Sequence, residues 1–102
     1  MNRTEILKNE VKNNSEDPFN YYLLALEYQK IENTAEAKKY FQILVKNFDE
    51  YLATYYTYAN FLILLDQEQE ALEIIMKGIA ISQKQKNSKA EKELKQMLEL
   101  HF

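Results

Sequence analysis

Apolar residues recur along this chain at helical spacing, in short runs separated by polar turns. Ile6, Leu7 and Val11 share one face over residues 3–13, which predicts a short amphipathic helix. Asp17-Pro18 opens the next run, because Asp accepts hydrogen bonds from free N–H groups and Pro suits a first helical turn. Tyr21, Leu24, Ala25, Tyr28 and Ile31 then draw one stripe. Asn33, with Glu36 three residues later, resembles a capping box ahead of Ala37, Tyr40, Phe41, Leu44, Val45 and Phe48.

Asp49 is the expected cap of a fourth helix over 51–65. Its Tyr-Tyr-Thr-Tyr stretch also has strand character, but no turn residue interrupts the run, and it stands in the same register as the helices around it. A fifth helix begins at Asp66 or Gln67 and carries Ala71, Ile74, Ile75, Gly78 and Ile79. After a polar joint at 83–87, Ser88 and Glu91 form an expected capping box for a sixth helix with Ala90, Leu94, Met97, Leu98 and His101 on one face.

The register is a repeat. At an offset of 34 residues, Tyr21-Tyr22 falls on Tyr55-Tyr56, Ala25 on Ala59, and Glu36-Ala37 on Glu70-Ala71. Units of this length bury their apolar faces by stacking on neighbours. The same offset carries Val11-Lys12-Asn13 onto Val45-Lys46-Asn47 and Ile6-Leu7 onto Tyr40-Phe41, so the first helix reads as the second half of a preceding unit. The sixth helix reads as a closing cap with its apolar face about one residue out of frame. Gly78 in mid-helix predicts a close helix contact, since Gly there otherwise costs ~1 kcal/mol relative to Ala.

With Tyr21, Leu24, Ala25 and Tyr28 in the first helix of the unit and Ala37 and Phe41 in the second, the chain resembles the tetratricopeptide repeat. Tyr55, Tyr58, Ala59, Leu62, Ala71 and Ile75 match it more loosely one period on. Tyr stands for the pattern's Trp in both copies, and Asp49 and Gln83 for its closing Pro. The resemblance implies an all-α fold, a right-handed α-α superhelix of about six antiparallel helices. Its parts would be an N-terminal half-repeat at 3–14, repeats at 18–50 and 51–84, and a capping helix at 88–101, in a single domain over 1–102.

It also implies a function. First helices of such repeats line a groove for peptides or partner helices, and the matching positions here are Phe19, Tyr22, Leu26 and Gln29, then Ala53, Tyr56, Asn60 and Ile63. Two readings stay open for Tyr22 and Tyr56, which either line the groove or pack against neighbouring helices. Asn60 either binds a peptide backbone or faces water. The family's subset that grips C-terminal carboxylates uses Lys and Asn where this chain has Tyr22 and Leu26, so an acidic chaperone-type tail is not an expected ligand.

Composition narrows the rest. One Gly, one Pro and 46% hydrophobic residues fit a folded, nearly all-helical chain of 102 residues. Without cysteine there are no disulfides or thiolate metal sites, which fits a reducing cytoplasm. No signal peptide is visible, and the uncharged run Tyr51 to Leu65 is too short to span a bilayer. That run is either a buried central helix or an apolar patch (Phe61, Ile63, Leu64) covered by a partner or a second copy, which would make a homodimer.

Residues 1–75 carry 7 basic and 13 acidic groups, whereas 76–102 carry 6 and 3. Lys84, Lys86, Lys89, Lys92 and Lys95 read as a solvated face or a surface for an acidic partner. Nucleic acid is not expected, for want of Arg and of a domain-wide basic excess. The single His101 reads as a semi-buried structural residue. No paired carboxylates, phosphate loop or metal-ligand spacing is present, so the chain is expected to be a non-enzyme without metal or cofactor.

Overall fold

The computed structural model describes residues 2–102 and, among them, six helices and no strand. They are α1 (Arg3–Asn13), α2 (Pro18–Lys30), α3 (Thr34–Asn47), α4 (Ala53–Leu64), α5 (Glu68–Lys84) and α6 (Ser88–His101). The chain forms two compact units, one ending at Tyr51 and one beginning at Leu52. In the first, α2 packs against both α1 and α3; in the second, α5 packs against α4 and α6, and α4 also touches α6.

Polar side chains start four of the helices. Asn2 Oδ1 accepts from the Glu5 amide (2.9 Å), Asp17 Oδ1 from Phe19 (3.0 Å), Asn33 Oδ1 from Glu36 (3.3 Å) and Asn87 Oδ1 from Ala90 (3.0 Å). Each satisfies an amide that has no partner within its helix. Pro18 stands in the first turn of α2, as its fixed φ favours.

Two expected caps are corrected. The cap of α6 is Asn87, one residue before Ser88, and the Glu91 carboxylate turns instead to Lys95 Nζ (2.7 Å) and Gln83 Nε2 (3.1 Å). Asp49 does not cap α4, which starts at Ala53 behind Leu52 with no side-chain cap bond. The reason lies in the repeat. The Asn14 amide bonds to Glu10 O and that of Asp17 to Asn14 O; 34 residues later Phe48 bonds to Leu44 O and Tyr51 to Phe48 O. The backbone course is thus repeated, and the place of the capping Asp17 falls to Tyr51, while Asp49 comes two residues too early.

Three helices end alike. Glu32 donates to Gln29 O and Asn33 to Tyr28 O; Asp66 to Ile63 O and Gln67 to Leu62 O; Lys86 to Gln83 O and Asn87 to Ser82 O. These paired bonds define Schellman caps, whose turning residue takes the left-handed conformation usually left to Gly. Here it is Glu32 (φ 61°), Asp66 (φ 59°) and Lys86 (φ 55°). In each case the next residue heads the following helix, so one six-residue turn ends one helix and starts another.

The cores repeat with the turns. Leu24, Ala25, Tyr28, Ala37, Phe41 and Leu44 are buried in the first unit, and Tyr58, Ala59, Leu62, Ala71, Ile75 and Gly78 in the second. These six pairs stand one period apart. The four alanines are fully buried, as close helix packing requires. Gly78 is the sharpest case: a Cβ there would lie 2.6 Å from Tyr55 Cβ and 2.9 Å from Leu94 Cδ1. In α6, Leu94 and Met97 are buried and Ala90 half-buried, which places its inner face one residue beyond the period of Tyr55, Ala59 and Leu62.

Candidate partner-binding surface

The helix α4 is not buried all round. Thr54, Tyr55, Tyr58, Ala59, Phe61 and Leu62 are buried, whereas Ala53, Tyr56, Asn60 and Leu64 are exposed, with Thr57 and Ile63 half-buried beside them. Spacings of three and four put the exposed residues on one stripe. Tyr56 keeps 46% of its surface and Leu64 keeps 69%, and no charged residue interrupts the stripe. Phe61, which only one of the two readings of this helix put on an exposed patch, is buried.

The equivalent stripe on α2 starts at Phe19, which is half exposed, and continues through half-buried Tyr22, Leu23, Leu26 and Gln29 to exposed Lys30. Tyr22 is not a bare side chain. Its ring meets that of Tyr51 edge-on, with centroids 5.8 Å apart and planes at 66°. The apolar pattern does not single out Tyr51, since it places that residue inside the fourth helix. Its match to the capping position of Asp17 is the signal that the sequence does hold.

The second Tyr of each doublet therefore differs between the copies, half-buried against Tyr51 at Tyr22 and exposed at Tyr56. The first Tyr differs as well. Tyr55 is fully buried, but Tyr21 is only half-buried, resting on Phe48 (5.2 Å) and Tyr40 (6.5 Å) and donating its hydroxyl to Ser15 O (3.1 Å).

A separate aromatic cluster ties α1 to α2 and α3. The Tyr28 and Tyr40 rings stack at 5.8 Å, Lys8 lies 5.8 Å above Tyr28, and Lys39 lies 5.5 Å above Tyr40. Arg3 adds an ion pair to Glu27 at 3.1 Å. The hydrogen bond to the Tyr28 hydroxyl holds Lys8 above its usual pKa. Burial first, then the Tyr28 hydroxyl, raises that of Tyr40. Burial first, then Tyr22 and the Asp17 carboxylate, raises that of Tyr51. Lys8, Tyr28 and Tyr40 tie α1, α2 and α3 together.

The remaining candidates are quickly placed. Lys84, Lys86, Lys89, Lys92 and Lys95 are all exposed, and Lys95 is paired with Glu91, whose pKa is lowered by the hydrogen bonds from Lys95 and Gln83. His101 is exposed, not semi-buried: burial fades along the end of α6 from Met97 through Leu98 to Leu100, His101 and Phe102. Among the described residues, no group of three or more His, Cys, Asp or Glu could hold a metal ion, and no helix is long and apolar enough to cross a membrane.

Short helices in two copies of a 34-residue unit, crossing on buried alanines, define a helical-repeat protein of the tetratricopeptide type. The sequence matches no family model and no curated protein. Solved structures do match. A crystal structure of a tetratricopeptide repeat domain protein from Salinibacter ruber is 31% identical with a TM-score of 0.72, over 79% of this chain and 90% of that one. A solution NMR structure of a tetratricopeptide repeat domain protein from the same organism is 32% identical with a TM-score of 0.76, over 80% and 83%. The chain belongs to the tetratricopeptide repeat family.

Proposed function

We propose that this chain is a non-catalytic binding module that holds a peptide or protein partner on the exposed and half-buried residues along the outer stripes of its first helices. Phe19, Tyr22, Leu26 and Gln29 serve in the first, and Tyr56, Asn60 and Ile63 in the second. The observation that carries the reading is the uncharged, solvent-facing stripe of α4, in a chain where 28% of residues are charged. A stripe that served only solvation would carry charge; one with Tyr56 at its centre and Asn60 beside it offers apolar area plus a backbone-binding amide. Tyr buries a large surface with little loss of side-chain freedom, which suits an anchor. A cytoplasmic setting is part of this reading, because a chain without cysteine makes no use of an oxidising compartment.

The test is capture from extracts of the source organism on immobilised wild type and on Tyr56→Ala/Asn60→Ala, with helicity checked by circular dichroism. Both residues are exposed, so the variant keeps its core. A protein retained by wild type and lost from the variant supports the reading, and retention by both removes the α4 stripe from it. Leu64, 69% exposed at the end of the same stripe, favours a second reading in which copies of the chain associate through α4. Light scattering that returns a monomer at every concentration rules it out.

A further inference from the structure

The first unit carries a shallow depression lined by Pro18, Asn47, Phe48, Asp49, Glu50 and Tyr51. Its walls combine aromatic and carboxylate groups. Tyr51 forms one side and meets Tyr22 of the α2 face edge-on, and Phe19, half exposed, follows Pro18 in the first turn of α2. Asp49 and Glu50 of its lining are exposed, as is Asp17, which directly precedes Pro18. No lysine or arginine occurs between Lys12 and Lys30, nor from Asn47 to Tyr51, and with Lys46 as the nearest cation in sequence the carboxylates at this edge are in excess. The field there acts on the neighbouring rings, since the Asp17 carboxylate is felt at the Tyr51 hydroxyl.

Rings offer a negative face to a cation, and carboxylates around an apolar concavity raise the local concentration of cations. From the depression, its paired rings and its excess of carboxylates, we infer that this edge takes a lysine or arginine side chain of a bound peptide, so that the partner is a basic, apolar segment. The inference rests on the proposed use of the α2 face for binding and gives that ligand its charge. The cation would sit against Tyr51 between Asp17, Asp49 and Glu50, and the apolar residues of the segment would lie along Phe19, Tyr22 and Leu26.

The experiment uses the whole chain and three fluorescent peptides of equal length and apolar content, carrying Lys and Arg, Ser, or Glu at the same positions. Fluorescence anisotropy at low salt should give the cationic peptide about tenfold tighter binding than the serine peptide, and the acidic one weaker binding still. The advantage should shrink as ionic strength rises. It should vanish in Asp17→Asn/Asp49→Asn/Glu50→Gln, in which an asparagine amide still caps α2. Tyr51→Phe should keep it and Tyr51→Leu should reduce it. Equal binding of all three peptides overturns the inference and leaves the α2 face as a binding surface, whereas no binding of any peptide overturns both. A cationic preference that survives the triple variant overturns the placement at this edge.

Discussion

Gly78 and Tyr55 approach so closely that a methyl group on the first would stand 2.6 Å from Cβ and 2.9 Å from Cγ of the second. One period earlier Leu44 occupies the place of Gly78, and Tyr21, the counterpart of Tyr55, is only half-buried. The second unit exchanges a bulky residue on its second helix for complete burial of a tyrosine on its first. Gly78→Ala would gain ~1 kcal/mol of helix propensity. The methyl would meet Tyr55 at its Cβ, which cannot swing away as a side-chain tip can, and overpacking of this kind costs about 1–3 kcal/mol. The expected result is a lower urea midpoint for Gly78→Ala, with an unchanged slope. A raised midpoint would mean that α4 and α5 part without cost.

Lys86 turns the chain between α5 and α6 at a φ of 55°. An L-residue in the left-handed region costs about 1–2 kcal/mol, and Gly escapes this while adding unfolded-state entropy of about 0.5–1 kcal/mol. Lys86→Gly should therefore stabilise the fold by about 0.5–1 kcal/mol. Lys89→Gly, in the first turn of α6, should destabilise it by a similar amount. Thermal melts of the two variants should shift in opposite directions. A Lys86→Gly melt below wild type would show that the lysine side chain, and not the backbone, governs this turn.

What the sequence makes legible is whatever the repeat places twice. The alanine pairs at 25/59 and 37/71 and the apolar stripes of α2 and α3 can be read because period and helical spacing agree, and both report the buried face. The start of α4 misleads because residue type alone makes Asp49 look like a cap; the backbone course of the preceding turn assigns that place to Tyr51. The Schellman turns are invisible in the sequence because their left-handed residues are Glu32, Asp66 and Lys86 instead of Gly. For the surface, periodicity tells which residues face outward along a helix but not which rings meet, so the Tyr22–Tyr51 pair comes only with the coordinates.

Thr54 is fully buried, and its hydroxyl has no hydrogen-bond partner among the described residues. A hydroxyl stripped of water and left unpaired costs about 1–3 kcal/mol, judged from protein substitutions. Valine has the same branched shape without the polar atom. Thr54→Val should accordingly raise stability by about 1 kcal/mol, seen as a higher urea midpoint with unaltered circular dichroism. Loss of stability would reveal a partner for the hydroxyl, such as bound water, that the valine displaces.

Tyr40 and Tyr51 should set the alkaline limit of the fold. Burial raises both above the ordinary tyrosine value of 10.0, with the neighbouring hydroxyl of Tyr28 adding at Tyr40 and that of Tyr22 at Tyr51. In the unfolded chain they lose their protons near that ordinary value. Above it, the unfolded state binds fewer protons than the folded one, so stability falls with rising pH until the folded-state pKa is passed. Below about pH 9 these two groups are protonated in both states and contribute no slope. Absorbance at about 295 nm should show part of the tyrosine titration delayed beyond that of free tyrosine, and Tyr40→Phe should remove some of the delayed fraction. The same variant should flatten the loss of stability above about pH 10, measured by urea unfolding, because phenylalanine has no proton to lose. An identical alkaline slope in wild type and Tyr40→Phe would move the limit to other groups.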